Sequence, residues 1–225
     1  MERVSLAIYD MDKMVTRRAT YTSFLLHAAR RLNPLRLALL PAVAVTGLGY
    51  ALKLVGRARL KELNYALLIG RVAPERLEPV IQSFADAQIA TNILPAARAQ
   101  IAADKEAGRR LVLATASYGL YAAAIAQRLG FDDVIATRQE RDARGRVLAR
   151  IDGANCYGPA KHDMILAWLR SEGLERDALH IRFYSDHVSD AVVHRWADEP
   201  YASNAHQPLL DVAKAEGWQV VDWRT

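Results

Sequence analysis

The chain has 225 residues, enough to bury a substantial core, and it suits one α/β domain with an insertion better than two full domains. A single cysteine, Cys156, excludes an intramolecular disulfide and a cysteine-built zinc site. With no signal-peptide pattern after Met1-Glu2-Arg3, a reducing, cytoplasmic compartment is expected. The net charge of +5 is unevenly spread: ten of the thirty basic residues and none of the twenty-five acids fall within residues 13–61, so this stretch should meet something anionic.

Residues 4–9 are a short apolar run of the kind buried in a parallel sheet, and the run ends at Asp10. Residues 17–94 then lack a convincing strand and follow helical patterns, which predicts an all-helical cap inserted after the first strand. Within the cap, residues 37–52 are sixteen uncharged, mostly apolar residues. That is short of the ~20 a spanning helix needs, and Pro41, Gly47 and Gly49 should interrupt it, so a transmembrane segment is not expected. The favoured reading is the buried core of the cap. The sharper alternative is an interfacial element, because basic residues flank the run and suit anionic lipid headgroups. Nucleic acid fits less well, since a backbone binder would carry more aromatic and polar donors.

Downstream, strands and helices alternate. Residues 111–114 form a strand that runs into Thr115, followed by a helix over 118–129 that Gly130 caps. Residues 134–137 are a third strand, and Asp142-Ala143-Arg144-Gly145 is a hairpin turn into 147–151. A helix over 161–172 precedes a strand at 181–184, and a helix over 208–216 precedes a last strand at 219–222. The pattern predicts an α/β fold, a three-layer, Rossmann-like parallel-sheet core from residues 1–16 and 95–225. Ligands should gather at the carboxyl ends of its strands.

Asp10-Met11-Asp12 falls at one such end. Residues two apart on a strand project to the same side, so both carboxylates can face one substrate. One can attack phosphorus while the other protonates the leaving oxygen and later activates water. Taken alone, the pair also reads as two loop acids. Thr115 ends the second strand where a hydroxyl and the following N–H groups, Ala116 first, could cradle phosphate at a helix start; it also reads as an ordinary N-cap. Lys161 opens a helix, where a cation opposes the dipole, and that misfit points to a paired role. Ser185-Asp186-His187-Val188-Ser189-Asp190 adds two acids at a further strand end. Four carboxylates at two strand ends would repel unless a hard cation such as magnesium sat among them. His187 reads as a partly exposed loop histidine, and Cys156 as buried filler.

The ordered set, strand-Asp-x-Asp, strand-Thr, Lys and strand-Asp-x-x-x-Asp, resembles the haloacid dehalogenase superfamily. Within it the chain resembles subfamily IB, which includes the phosphoserine phosphatases. The likeness extends to Ala114-Thr115-Ala116-Ser117, Arg128-Leu129-Gly130-Phe131-Asp132, Ile151-Asp152-Gly153, Asn155-Cys156-Tyr157-Gly158 and Gly217-Trp218. It implies a magnesium-dependent phosphomonoester hydrolase with Asp10 as nucleophile, Asp12 as acid/base, Thr115 as phosphate ligand and Lys161 as the cation that steadies an aspartyl phosphate. Magnesium would lie among Asp10, Asp12, Asp186 and Asp190. Asn204 resembles an asparagine this subfamily holds near substrate; it also reads as a turn residue. Two positions depart from the pattern. Met14 replaces a usual threonine that orders the loop, and Ala19 stands where phosphoserine phosphatases carry a glutamate for the substrate amine. The expected substrate is therefore an anionic small-molecule or lipid phosphate without a free amine, with peripheral contact at an anionic inner membrane face as the cap's alternative role. The competing readings are phosphoserine hydrolysis, phosphotransfer, or a catalytically impaired phosphate-ester binding protein.

Overall fold

The computed structural model describes residues 3–224. Strand β1 (Val4–Tyr9) is apolar and buried over its last four residues, as a strand covered on both faces must be. It lies in a seven-stranded sheet of order β4-β3-β2-β1-β5-β6-β7. Its parallel neighbours are β2 (Arg110–Tyr118) and β5 (Leu179–Ser185). Chain order reverses across β1, so a crevice opens at its carboxyl end, where the Asp-x-Asp sequence begins. β3 (Asp133–Arg141) continues the parallel half, and β4 (Val147–Asp152) closes that edge antiparallel through the expected hairpin. β6 (Glu199–Ser203) and β7 (Gln219–Val221) extend the other half in parallel.

Helices cover both faces. On one, α7 (Pro159–Ser171) and α8 (Ala191–Trp196) pack Ile165, Leu169 and Val193 on Leu6, Ile8, Val112 and Phe183. On the other, α5 (Pro95–Glu106) and α6 (Gly119–Leu129) set Ile101 and Ile125 against Ala7, Leu111 and Leu113. The last helix, α9 (Gln207–Glu216), ends at Gly217 in the left-handed region, a glycine C-cap. Two boundaries differ from the sequence reading. The β2–β3 pairing shifts register between Thr115 and Tyr118, so β2 runs past Thr115 and α6 starts only at Gly119. α7 begins at Pro159, which has no N–H to lose at a helix start, and Lys161 sits in its first turn.

Between β1 and α5 lie α1 (Tyr21–Leu32), a 3-10 segment (Pro34–Leu39), α2 (Leu40–Ala51), α3 (Arg57–Leu68) and α4 (Pro74–Thr91). The chain leaves and returns side by side: Thr16 bridges Ile93, Leu94 N–H donates to the Val15 carbonyl, and Arg17 N–H donates to the Asn92 carbonyl. α4 buries Leu77, Val80, Ile81 and Phe84 at helical spacing. Phe24 of α1 stacks on Tyr121 of α6 at 4.4 Å between centroids and meets Phe84 edge-on, so one apolar core runs through these helices and the sheet.

The apolar run at 37–52 behaves differently. No residue of α2 or of the 3-10 segment is buried, and Val45 and Leu48 are 68% and 60% exposed. The expectation of a buried cap core at this run is therefore overturned. α1 and α4 already fill the space over α6, and α2 is left resting on α3, where the Thr46 hydroxyl donates to Asn64 Oδ1. The expected interruptions are also absent. Pro41 falls in the first turn, and the helix runs through Gly47 and Gly49. Among the described residues, Pro34–Ala51 is the one helical stretch long and apolar enough to cross a membrane by length and composition.

Candidate active site

A cleft of about 310 Å³ lies beyond the carboxyl ends of β1, β2 and β5, lined by Asp10, Asp12, Thr115, Ala116, Lys161, Asp186 and Asp190 together with Tyr21, Tyr50, Arg57 and Lys61 from α1, α2 and α3. At its floor Lys161, 2% exposed, donates from Nζ to Asp10 Oδ1 at 2.9 Å and to Asp190 Oδ2. Asp190 also accepts from the Ser185 hydroxyl at 2.8 Å. Burial alone would lower the lysine's pKa, but its two carboxylate partners outweigh this and hold it above the ordinary range. The same contacts overcome burial at Asp190 and keep its carboxyl below the usual carboxylate range. The paired role expected of Lys161 is thus met by a buried ion triad. Asp10 is pushed up to about 7 by burial, with Asp190, Asp186 and Asp12 adding repulsion against the relief that Lys161 provides. Its Oδ2 has no protein partner among the described residues.

Asp12 is held from two elements. Thr20 donates to Oδ1 from both its N–H and its hydroxyl, each at 2.8 Å, and the Ser117 hydroxyl donates to Oδ2 at 2.8 Å. Tyr121 in turn donates to Ser117. The two acids share the cleft for a reason other than strand alternation, since β1 ends at Tyr9 and both lie in the loop beyond it.

That loop is fixed without a hydroxyl at position 14. Met14 is fully buried in the apolar core. The ordering hydroxyl is Thr16 Oγ1, which accepts from the Lys13 N–H at 3.2 Å and lies within donating distance of the Met11 and Arg18 carbonyls. Lys13 has φ 63°, a left-handed conformation costly for a lysine, and Asn204 pins it by donating from Nδ2 to the Lys13 and Met14 carbonyls. Asn204 Oδ1 accepts from the Trp223 N–H. Asn204 therefore lies behind the loop and does not line the cleft, which corrects its expected place beside substrate.

Thr115 lies inside β2 rather than at a helix start, and its hydroxyl accepts from the Ser117 N–H at 3.1 Å. Ala116 also lines the cleft, and its carbonyl accepts from Thr137 and from Lys61 Nζ. Lys61, from α3, is the residue that sequence reasoning missed most clearly. It is buried, donates to Ala116 O at 2.6 Å and Asn155 Oδ1 at 2.8 Å, and faces the Tyr118 ring at 4.4 Å. Burial lowers its pKa to about 7. Arg57, one turn earlier, lies over the Tyr157 ring at 4.1 Å, and both residues line the cleft. Ala19 lines it too, so no carboxylate occupies that position. His187 is a lining residue and stacks on His206 at 4.5 Å, a closer involvement than a loop histidine by default. Cys156 is buried in the core as filler, and burial pushes its thiol up to about 12.

The donor set suits a hard cation. Asp10 and Asp186 line one cleft, and burial pushes Asp186 up to about 6, with Asp190 opposing the relief from Lys161 and Lys13. No closed cage of three or more His, Cys, Asp or Glu side chains exists among the described residues. Magnesium does not require one, because it takes one or two carboxylates and completes its shell with water, backbone carbonyl and substrate phosphate.

A family model described as haloacid dehalogenase-like hydrolase matches residues 7–193. The chain belongs to this family. A solved structure from Bordetella pertussis Tohama I, a protein with unknown function, is 25% identical with a TM-score of 0.87, covering 98% of this chain and 99% of that one. A phosphoserine phosphatase solved as a phospho-aspartyl intermediate analogue shares the fold at TM-score 0.63 and 16% identity, over 99% of this chain and 95% of that one. Among curated relatives, an inhibition of morphological differentiation protein from Streptomyces azureus is 30% identical over 117 residues, 52% of this chain but only 41% of the relative's length. A histidinol-phosphatase from Neisseria meningitidis serogroup C (strain 8013) is 24% identical over 157 residues, 69% of this chain and 71% of the relative.

Proposed function

We propose that this hydrolase cleaves phosphate monoesters by nucleophilic attack of Asp10. The observation that carries the reading is the buried Asp10, anchored through Oδ1 by Lys161 and with Oδ2 left free in the cleft. In this reading Oδ2 attacks phosphorus and the ester C–O–P bond breaks at phosphorus. Asp12, steered by Thr20 and Ser117, gives its proton to the leaving oxygen. Water, giving its proton to Asp12, then attacks phosphorus; the Asp10 Oδ2–P bond breaks, and inorganic phosphate leaves with the Asp10 carboxylate restored. Lys161 offsets charge at Asp10 in both steps, and Thr115 and Ala116 border the phosphate. Asp10, Asp186 and the Asp12 carbonyl would hold magnesium, with Asp190 behind them, and the ion would supply charge neutralisation at the phosphoryl oxygens.

The histidinol-phosphatase relative supports phosphomonoester chemistry. Residues 17–94 act as the cap in this reading, supported by the Thr16–Ile93 bridge at which the chain leaves and returns. Arg57 and Lys61 over the cleft, with Ala19 in place of a carboxylate, favour an anionic substrate without an amine, either a small molecule or a lipid phosphate. The buried free thiol of Cys156 accords with a reducing, cytoplasmic setting. The test is phosphate release from p-nitrophenyl phosphate with and without magnesium, together with capture of an acid-stable, hydroxylamine-labile phosphoprotein. Absence of both in the wild-type chain overturns the reading.

A further inference from the structure

Three features meet on the cap. The outward face of α2 presents Pro41, Ala44, Val45 and Leu48 at i, i+3, i+4 and i+7, and Leu52 and Leu54 continue it at 61% and 78% exposure. Covering such a face in water is favourable, and none of the described residues does so. Exposed cations flank it along the chain: Lys53, Arg57 and Arg59 follow the helix, and Arg30 and Arg31 precede it on α1. The helix also ends at the cleft, because the exposed Tyr50 and Arg57 are among the residues that line it.

We propose that this face of α2 docks on an anionic lipid bilayer and brings the mouth of the cleft to the headgroup layer; the inference rests on the phosphatase reading and names the source of its substrate. Charge decides the occupant. A second copy would bring the same acid-free stretch against this one, cation against cation, whereas anionic headgroups complement it. Tertiary contact decides the mode. Thr46 holds α2 to Asn64 of α3, and Arg36 just before it donates to the Ala66 and Leu67 carbonyls, so α2 stays on the fold and lies in the interface plane with its apolar side down and the arginines at headgroup level. A phosphomonoester carried on a lipid then enters from the side where Tyr50 and Arg57 stand, its headgroup reaching Asp10 without leaving the membrane surface.

The experiment is co-sedimentation of the full chain with phosphatidylcholine vesicles, with and without phosphatidylglycerol. The double variant V45D/L48D is compared alongside, and turnover of p-nitrophenyl phosphate is followed in both proteins. Neither substituted side chain lines the cleft, so turnover of the soluble ester should be unchanged in the variant. Wild type should bind the anionic vesicles, leave the neutral ones and weaken with salt, and V45D/L48D should bind roughly tenfold less or worse. Three results overturn the proposal: no binding at low salt, equal binding by V45D/L48D, or concentration-dependent dimers that V45D/L48D abolishes. Failure of the phosphatase reading would register separately, as absence of turnover in wild type whatever the vesicles show.

Discussion

The carboxyl ends of β1 and β5 and the outer face of α2 depart in opposite ways from apolar-inside, polar-outside. At the strand ends Asp10, Lys161 and Asp190 are removed from water, although isolated charges strongly resist such transfer. On α2 a run of leucine, valine and alanine is left in water, although burial would stabilise it. Each is costly to the free molecule, and the two proposals account for them by something the chain would meet: a phosphate and a cation in the first case, a surface in the second. α4, of less apolar composition than α2, follows the rule and buries Leu77, Val80, Ile81 and Phe84.

The contrast can be broken at its strongest point by Asp10→Asn. Turnover should fall on the order of a thousandfold or more, because an amide neither attacks phosphorus nor binds magnesium well. A variant within tenfold of wild type would remove the functional reason for the buried charges. Lys161→Met comes next. It leaves Asp10 and Asp190 facing each other unpaired, and urea unfolding should report a loss of about 3–5 kcal/mol. Adding Asp190→Asn should restore part of that loss, since the two sites share one network.

A pH titration sharpens the same comparison. In the fold Asp10 is pushed up to about 7 from an ordinary 3.8, and Asp186 to about 6. Between those limits the folded chain holds protons that the unfolded chain has lost. The stability this contributes is complete below about pH 4 and is lost as pH rises through 6 and 7. In chelator, the melting temperature of Asp10→Asn relative to wild type should therefore climb from pH 4 to pH 7. A constant difference would mean that Asp10 is not strained when ionised. Met14→Thr should cost about 1–3 kcal/mol, because it places a hydroxyl in a filled apolar site while Thr16 already orders the loop. Denaturation alongside p-nitrophenyl phosphate turnover checks it; a gain in rate without a loss of stability would reinstate Met14 as a defect. The smallest effect belongs to α2. Val45→Asp should change folding stability by no more than about 0.5 kcal/mol, since its side chain is already in water.

Much of this was legible from local pattern. The apolar runs of β1, β2 and β5 lead into the cleft-lining residues Asp10, Thr115 and Asp186, and Lys161 betrayed its pairing by standing in the first turn of a helix, against the dipole. What stayed hidden depended on tertiary neighbours. Strand β6 begins Glu199-Pro200, and only pairing with β5 reveals it. Thr20 and Lys61 carry no motif, because their partners lie across the cap boundary on Asp12, Ala116 and Asn155. Asn204 was assigned to the right neighbourhood and the wrong side of the loop, a distinction set by backbone direction rather than by residue type. The fate of residues 37–52 was misjudged because apolar composition states what a helix would gain from cover, not whether other helices leave room to give it.

The paired crossings at the base of the cap bear on timing. Arg17 to the Asn92 carbonyl, Arg18 to Asn92 Oδ1 and Leu94 to the Val15 carbonyl clasp the two connecting strands, and Phe24 and Tyr121 interlock above them. A swing of the whole cap would have to undo that clasp and open an apolar core. On the phosphatase reading, exchange of ester for product then falls to the rim, where exposed side chains such as Arg57, over Tyr157, rotate on the nanosecond scale rather than at the pace of domain opening. Solvent viscosity should then leave the turnover number of this chain nearly untouched.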